Sequence, residues 1–87
     1  MNIFEWDENK RTLNLEKHGI DFVDAIEIFS DFSRIENESI RDDELRYQTI
    51  GIVKDVVLFV VYTHRSGVVR LISARRASKH EREAYVG

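Results

Sequence analysis

The 87-residue sequence contains no cysteine and no proline. Without cysteine, neither a disulfide framework nor a cysteine-based zinc site can stabilise the fold. Only four glycines are present, so we expect no glycine-rich phosphate loop and no nucleotide hydrolysis of the kind that depends on one. The fold must therefore rest on a hydrophobic core. The 43% of hydrophobic residues is enough to build one in a single domain spanning residues 1–87.

Long apolar segments are also missing. The longest apolar run, residues 56–62, is much shorter than the roughly 20 residues that a membrane-spanning helix needs. The first residues lack the basic start and apolar stretch of a signal peptide. We therefore expect a cytoplasmic protein that has no contact with a membrane.

The charge is unevenly distributed along the chain, whose net charge is −3. Residues 1–61 contain 7 Lys or Arg and 14 Asp or Glu, whereas residues 62–87 contain 6 Lys or Arg and 2 Asp or Glu. A molecule polarised in this way offers one surface to anions and another to cations. The acidic part of the chain is therefore suited to a basic partner.

The apolar and capping patterns predict an α+β fold in which helices pack on a small antiparallel β-sheet. Asp7 and Gly19 fit the two ends of a first helix, residues 8–18, and Asp21 fits the start of a second. Ser78 and Glu81 have the spacing of a capping box, which predicts a short last helix to about Tyr85. The predicted strands are residues 3–6, 33–38, 46–53, 56–63 and 68–74. The predicted buried positions of the second helix are Phe22, Val23, Ala25, Ile26 and Phe29.

The last hairpin determines which charged side chains share a face of the sheet. If its turn is Ser66-Gly67, or the four residues 64–67, alternation divides the side chains between two faces. One face then carries Thr63, Arg65, Arg70 and Arg76, and the other carries Tyr62, His64, Ser73 and Arg75. A three-residue loop would reverse the pairing.

Metal and serine-nucleophile chemistry both lack a supporting motif. The three histidines are far apart in the sequence, and His80-Glu81 is followed by Ala84 where a metalloprotease helix needs its second histidine. Ser73 has no G-x-S-x-G context. We expect no metal and no cofactor.

The basic C-terminal segment is suited to binding phosphate rather than to metal or serine-nucleophile chemistry. Arginine binds phosphate through two parallel hydrogen bonds and keeps its charge, but it cannot act as a base. Metal-free RNA cleavage also needs a base for the 2′-hydroxyl and an acid for the leaving 5′-oxygen. The candidate acid and base groups are His18, His64, Glu44 and the Tyr62 phenol. Ordinary structural roles remain open: His18 can simply end a helix, Glu81 can cap one, and Lys79 and Arg82 can be a solvated helix face.

Several segments, taken together and in order, resemble the BrnT family, the toxin partners of type II toxin–antitoxin pairs. They are FEWDENK (4–10), NLEKHGI (14–20), Phe22 with Ala25 and Phe29, ELR (44–46), IG (50–51), VVYT (60–63), Arg65, RLISARRA (70–77) and ER (81–82).

The resemblance implies a RelE-like ribonuclease fold, metal-independent cleavage of RNA and inhibition of translation. It also implies a cognate BrnA-type antitoxin that forms a hetero-oligomer with the toxin and contacts operator DNA. On this basis we expect catalytic roles for His18, Arg65 and Arg75. The expected RNA-binding residues are Tyr62, Arg70, Arg76, Lys79 and Arg82. The alternative is a non-catalytic protein- or RNA-binding module that acts only within a complex, in transcriptional autoregulation.

Overall fold

The computed structural model describes residues 3–86. Along the chain the elements are β1 (Phe4–Glu5), α1 (Glu8–His18), α2 (Phe22–Ala25), a 3-10 helix (Ile26–Ser30), β2 (Ile35–Arg41), β3 (Glu44–Val53), β4 (Val56–Arg65), β5 (Val68–Arg76) and α3 (Lys79–Val86). The strands form one sheet in the order β1-β5-β4-β3-β2. The α+β class is therefore confirmed, as is the central position of β4.

The sheet is mixed, so the prediction of a purely antiparallel sheet is wrong. β2 to β5 form an antiparallel meander, but β1 pairs in parallel with β5. The two helical segments between β1 and β2 allow the chain to place β1 at the far edge of the sheet. Hairpin turns cannot produce a parallel pair of this kind.

Two-residue turns join the four antiparallel strands. Each has two residues at positive φ, in the pairs Asp42-Asp43, Lys54-Asp55 and Ser66-Gly67. Such turns match the right-handed twist of the strands they connect. The Ser66-Gly67 turn pairs Arg65 with Val68, which is the first of the two registers left open by the sequence.

A β-bulge in the last hairpin changes which side chains share a face. Tyr62 lies opposite Leu71, but the next residue, Val61, lies opposite Ser73, so Ile72 is the additional residue. Because a bulge reverses the alternation beyond it, Ser73 and Arg75 lie on the same face as Thr63, Arg65 and Arg70. Arg76 lies opposite Leu58 on the other face. The predicted faces of Ser73, Arg75 and Arg76 were therefore wrong, because the sequence pattern assumed an unbroken strand.

The buried face of the sheet, called here the inner face, packs against α2 and the 3-10 helix. Its core side chains from the sheet include Leu58, Val60, Tyr62, Leu71 and Ala74, and those from the helical segment are Phe22, Ala25 and Ile28. Val23 is 46% exposed, contrary to its predicted burial. The α-helix has only one turn before the backbone tightens into a 3-10 helix, and this change of period makes Ile28 a core residue.

Helix α1 is joined to the part of β5 that lies beyond its pairing with β1 by one buried amide. Asn14 donates through Nδ2 to the Ala74 carbonyl at 2.8 Å and accepts from the Ala74 N–H at 3.0 Å. The same Nδ2 donates to the Ile20 carbonyl at 2.8 Å. Asp7 caps the start of the helix, and Gly19, with φ of 71°, ends it as predicted. These contacts hold the last turn of α1 beside the bulge.

Candidate functional site

The opposite face of the sheet, called here the outer face, carries a group of cations around the bulge. The strand register places on this face Arg46 and Gln48 of β3, Val61, Thr63 and Arg65 of β4, and Arg70, Ser73 and Arg75 of β5. Between these strands and the start of α1 lies a depression of about 150 Å³, called here the arginine depression. It is lined by Lys10, Glu44, Arg46, Thr63, Arg65, Arg70, Leu71 and Ile72.

Glu44 links two of these arginines. Its Oε1 accepts from Arg46 Nε at 3.1 Å, and its Oε2 lies 3.5 Å from Arg65 Nη2. The hydrogen bond from Arg46, reinforced by Arg65, lowers the pKa of the Glu44 carboxyl. Arg65 is the more exposed partner, with 57% of its side chain accessible. Most of its hydrogen-bonding capacity is therefore directed to solvent.

Arg70 is anchored from the neighbouring strand. Its Nη1 donates to Glu5 Oε2 at 2.6 Å, across the parallel pairing of β1 and β5. The pair fixes one end of the guanidinium, while the other donors remain on the outer face. Three arginines and Lys10 thus surround the arginine depression, with Glu44 as the carboxylate among them.

His18 lies in an adjoining depression of about 210 Å³, which is also lined by Lys10, Leu13, Asn14, Lys17, Ile72 and Ser73. Lys10 and Ile72 line both depressions. The histidine is half-buried at the end of α1, and Asn14 holds that helix against β5. The depression that His18 lines therefore adjoins the arginine depression.

Arg75 lies on the outer face but at a distance from Arg65. It pairs with Phe59, six residues along β4 from Arg65, which corresponds to about 20 Å at the rise of a β-strand. Its two Nη atoms donate to the two Glu81 carboxylate oxygens at 2.8 and 2.9 Å, and its Cζ lies 4.2 Å from the centre of the Phe59 ring. The Glu81 hydrogen bonds raise the pKa of Arg75. Arg65 and Arg75 cannot contact the same phosphate.

Tyr62 is on the inner face and only 3% exposed. Its hydroxyl donates to the Glu36 carboxylate. Burial, together with that carboxylate, raises the pKa of the phenol well above its ordinary value. Neither its ring nor its hydroxyl faces the outer surface, which argues against the predicted RNA-binding role.

The other predicted cations are separate from the arginine depression. Arg76 borders a depression on the inner side of the sheet beside Asp21 and Asp24. Lys79 and Arg82 lie on the exposed face of α3, where Arg82 donates to the Ala77 carbonyl at 2.9 Å. The remaining acid/base candidate, His64, is exposed beside the Tyr47 and Tyr62 rings.

Sequence reasoning missed Arg46 and Lys10 as site residues. Arg46 could have been found, because a two-residue turn at Lys54-Asp55 places it on the same face as Thr63. Lys10 comes to the site only through the packing of α1 on β5, for which the sequence offers no local signal.

Within residues 3–86, no group of three or more His, Cys, Asp or Glu side chains comes together in a way that could hold a metal ion. No helix in this part of the chain is long and apolar enough to cross a membrane.

A family model confirms the resemblance seen in the sequence. The model describes a ribonuclease toxin, BrnT, of a type II toxin–antitoxin system, and it matches residues 6–81. No curated protein matches the chain. The match includes Lys10, His18, Glu44 and all three arginines of the depression. The chain therefore belongs to the BrnT family of ribonuclease toxins of type II toxin–antitoxin systems.

Proposed function

We propose that this protein is an endoribonuclease that cleaves RNA at the arginine depression without a metal ion and thereby inhibits translation in the cytoplasm. The observation that carries the proposal is the grouping of Arg46, Arg65, Arg70 and Lys10 around one depression that adjoins His18. The grouping can hold a phosphodiester and place it beside a titratable side chain. The domain is proposed to be RelE-like, which agrees with its α+β class.

In the proposed reaction the RNA 2′-oxygen attacks the neighbouring phosphorus. The O2′–P bond forms, the P–O5′ bond breaks, and the products carry a 2′,3′-cyclic phosphate and a 5′-hydroxyl. Glu44 accepts the proton of the 2′-hydroxyl, and His18 gives a proton to the leaving 5′-oxygen. The hydrogen bond from Arg46 lowers the pKa of Glu44, so the carboxylate is ionised, as a base must be, but the same hydrogen bond reduces its basicity.

The arginines stabilise the additional negative charge that develops on the phosphate oxygens in the transition state. Donors already placed around that position act without reorganisation. Arg65 is the best placed of them, because it is exposed and makes only a 3.5 Å contact with Glu44. An environment of four cations is unfavourable for a divalent metal, which supports a metal-independent reaction.

The role of Arg75 is revised by its contacts. Its bidentate pair with Glu81 and its stacking on Phe59 support a structural role, in which it joins α3 to the sheet. Lys79 and Arg82 lie on α3 and Arg76 lies on the inner side, so the RNA contacts predicted for them are not part of this proposal.

A basic BrnA-type antitoxin is the proposed partner, and it contacts operator DNA on behalf of the complex. The family supports a protein antitoxin. The acidic character of residues 1–61 favours a partner of opposite charge.

The test is to incubate the purified protein with RNA in excess EDTA and to identify the products. We expect cleavage to fragments ending in a 2′,3′-cyclic phosphate. A control RNA with 2′-O-methyl groups should stay intact, because its nucleophile is blocked.

The alternative is the non-catalytic binding module, which would act only as a partner in a complex. An intact RNA substrate after incubation at high protein concentration, with and without added divalent metal, would favour that alternative. Cleavage that requires the metal would contradict the proposed mechanism but not the family's activity.

A further inference from the structure

A third depression lies on the outer face beside the proposed cleavage site. It has a volume of about 480 Å³ and lies between β2, β3 and β5. Val61 and Ile72 give it an apolar floor, and its polar lining includes Ser39, Gln48 and Ser73. Ile72 also lines the two depressions of the cleavage site, and Arg46 also lines the arginine depression. An RNA whose phosphate is held by the arginines can therefore place an adjacent nucleotide in this depression.

The polar groups here differ from those around the proposed phosphate site. The arginine depression is lined by four cations and one carboxylate, whereas the third depression has two arginines together with a side-chain amide and two hydroxyls. An amide offers a donor and an acceptor in one plane, and a hydroxyl offers both from one atom. The amide and the hydroxyls are suited to the edge of a planar heterocycle, which has donors and acceptors at fixed positions, and the two arginines can bind a base edge as well as a phosphate.

We propose that the third depression binds a purine base of the RNA next to the scissile phosphate and that Gln48 reads its edge. This inference rests on the proposed function, because it places the base by reference to the cleavage site. Glutamine pairs with adenine and arginine with guanine, in each case through two hydrogen bonds to the purine edge. Gln48 and Arg41 supply both side-chain types. The apolar floor allows the ring to leave water, as single-stranded RNA recognition requires.

Gln48 is suited to this role because the sheet holds its backbone firmly. It lies in the middle of β3, opposite Asn37 of β2 and Val61 of β4. Asn37 provides a matched control, since it carries the same amide on the same face and is exposed, but it does not line the depression. The binding of a base that contacts Gln48 should not change when Asn37 is substituted.

The first experiment maps cut sites by sequencing the RNA fragments from the wild-type, Gln48→Ala and Asn37→Ala proteins. We expect purines to be enriched at one position next to the cut in the wild type and in Asn37→Ala. In Gln48→Ala the enrichment should fall about tenfold, within the range for loss of a bidentate base contact. A cut-site pattern that is the same in all three proteins, or a wild-type preference for pyrimidines, would overturn the inference.

A second experiment separates this inference from the proposed function. AMP, GMP, CMP, UMP and inorganic phosphate are titrated separately into the wild-type protein while the side-chain NH₂ signal of Gln48 is followed by NMR. AMP and GMP should shift this signal more than CMP and UMP, and inorganic phosphate should leave it unchanged. That result in a protein that does not cut RNA would preserve the base site while rejecting the proposed activity. Active cleavage without a response of Gln48 to any nucleotide would reject the base site alone.

Discussion

Arg65 and Arg75 lie on the same face of the sheet, but their surroundings differ. Arg65 is 57% exposed and lies 3.5 Å from a carboxylate that it shares with Arg46. Arg75 is 36% exposed, donates two hydrogen bonds to Glu81 and stacks on Phe59. The donors of Arg75 are thus occupied within the fold, whereas most of those of Arg65 are directed to solvent. Position on a face therefore does not distinguish the two arginines, whereas the contacts of their donors do.

The comparison also bears on the uneven distribution of charge along the sequence. The basic C-terminal segment is not one functional surface, because the bulge and the end of β5 distribute the four arginines of β4 and β5 over three places. Arg65 and Arg70 border the arginine depression, Arg75 joins the sheet to α3, and Arg76 lies on the inner side. Only the first of these places gathers further cations from β3 and α1.

The largest expected effect is the fall in the rate of RNA cleavage when Arg65 is replaced. We expect Arg65→Ala to lower the initial rate of RNA cleavage about 100-fold, as the loss of one transition-state donor does in other enzymes. The midpoint of thermal unfolding should change little, because the side chain is largely exposed. Arg76→Ala, which removes the same charge from the inner side, serves as the control and should keep at least half of the rate. A folded Arg65→Ala protein with the wild-type rate would contradict the assignment.

A smaller effect is expected at Arg75, and it should appear in stability. Arg75→Ala leaves Glu81, whose side chain is only 18% exposed, without its main partner. We expect the free energy of unfolding, measured with urea, to fall by about 2 kcal/mol, a value reduced for the partial exposure of Arg75.

The double variant Arg75→Ala with Glu81→Ala tests the pair itself. If the two side chains act together, the double variant should be nearly as stable as Arg75→Ala alone. Additive losses would show that the ion pair contributes little, and the contrast with Arg65 would lose its physical basis.

The smallest expected effect concerns pH. The Arg75 hydrogen bonds lower the pKa of Glu81 from 4.5 to about 2. Because the folded-state pKa is depressed, the stabilisation is complete above pH 4.5 and is lost as the pH falls toward 2. Between pH 5 and pH 2 the free energy of unfolding of the wild type should therefore fall by about 1 kcal/mol more than that of Glu81→Gln, after allowance for solvent screening. If the free energies of unfolding of the two proteins changed equally with pH, the claim that ionised Glu81 stabilises the fold through Arg75 would be contradicted.

Much of the fold followed from local sequence signals. Asp7, Gly19 and the Ser78–Glu81 capping box ended or began helices as predicted. The Lys54-Asp55 turn lies in the gap between the predicted strands 46–53 and 56–63, and Ser66-Gly67 is one of the turns that the sequence left open. The parallel pairing of β1 was missed, because a two-residue strand carries no periodic signal and its partner is 65 residues away.

The candidate site was only partly predictable. His18, Arg65 and Arg70 were named from the sequence, and the structure brings them to adjoining depressions. The faces of Ser73, Arg75 and Arg76 depend on one additional residue at the bulge, which no residue type specifies. Tyr62 was expected to bind RNA, but the strand register places its side chain in the core.

The most direct test of the central claim, that RNA is cleaved at the arginine depression, is to map where RNA binds. A short RNA with 2′-O-methyl groups, which cannot be cut, is titrated into the ¹⁵N-labelled protein. The account predicts that the backbone amide signals of Thr63, Arg65, Arg70 and Ser73 shift, while those of Arg76 and of residues 79–86 change little. Shifts concentrated on α3 and the inner side, with the outer face unaffected, would contradict it.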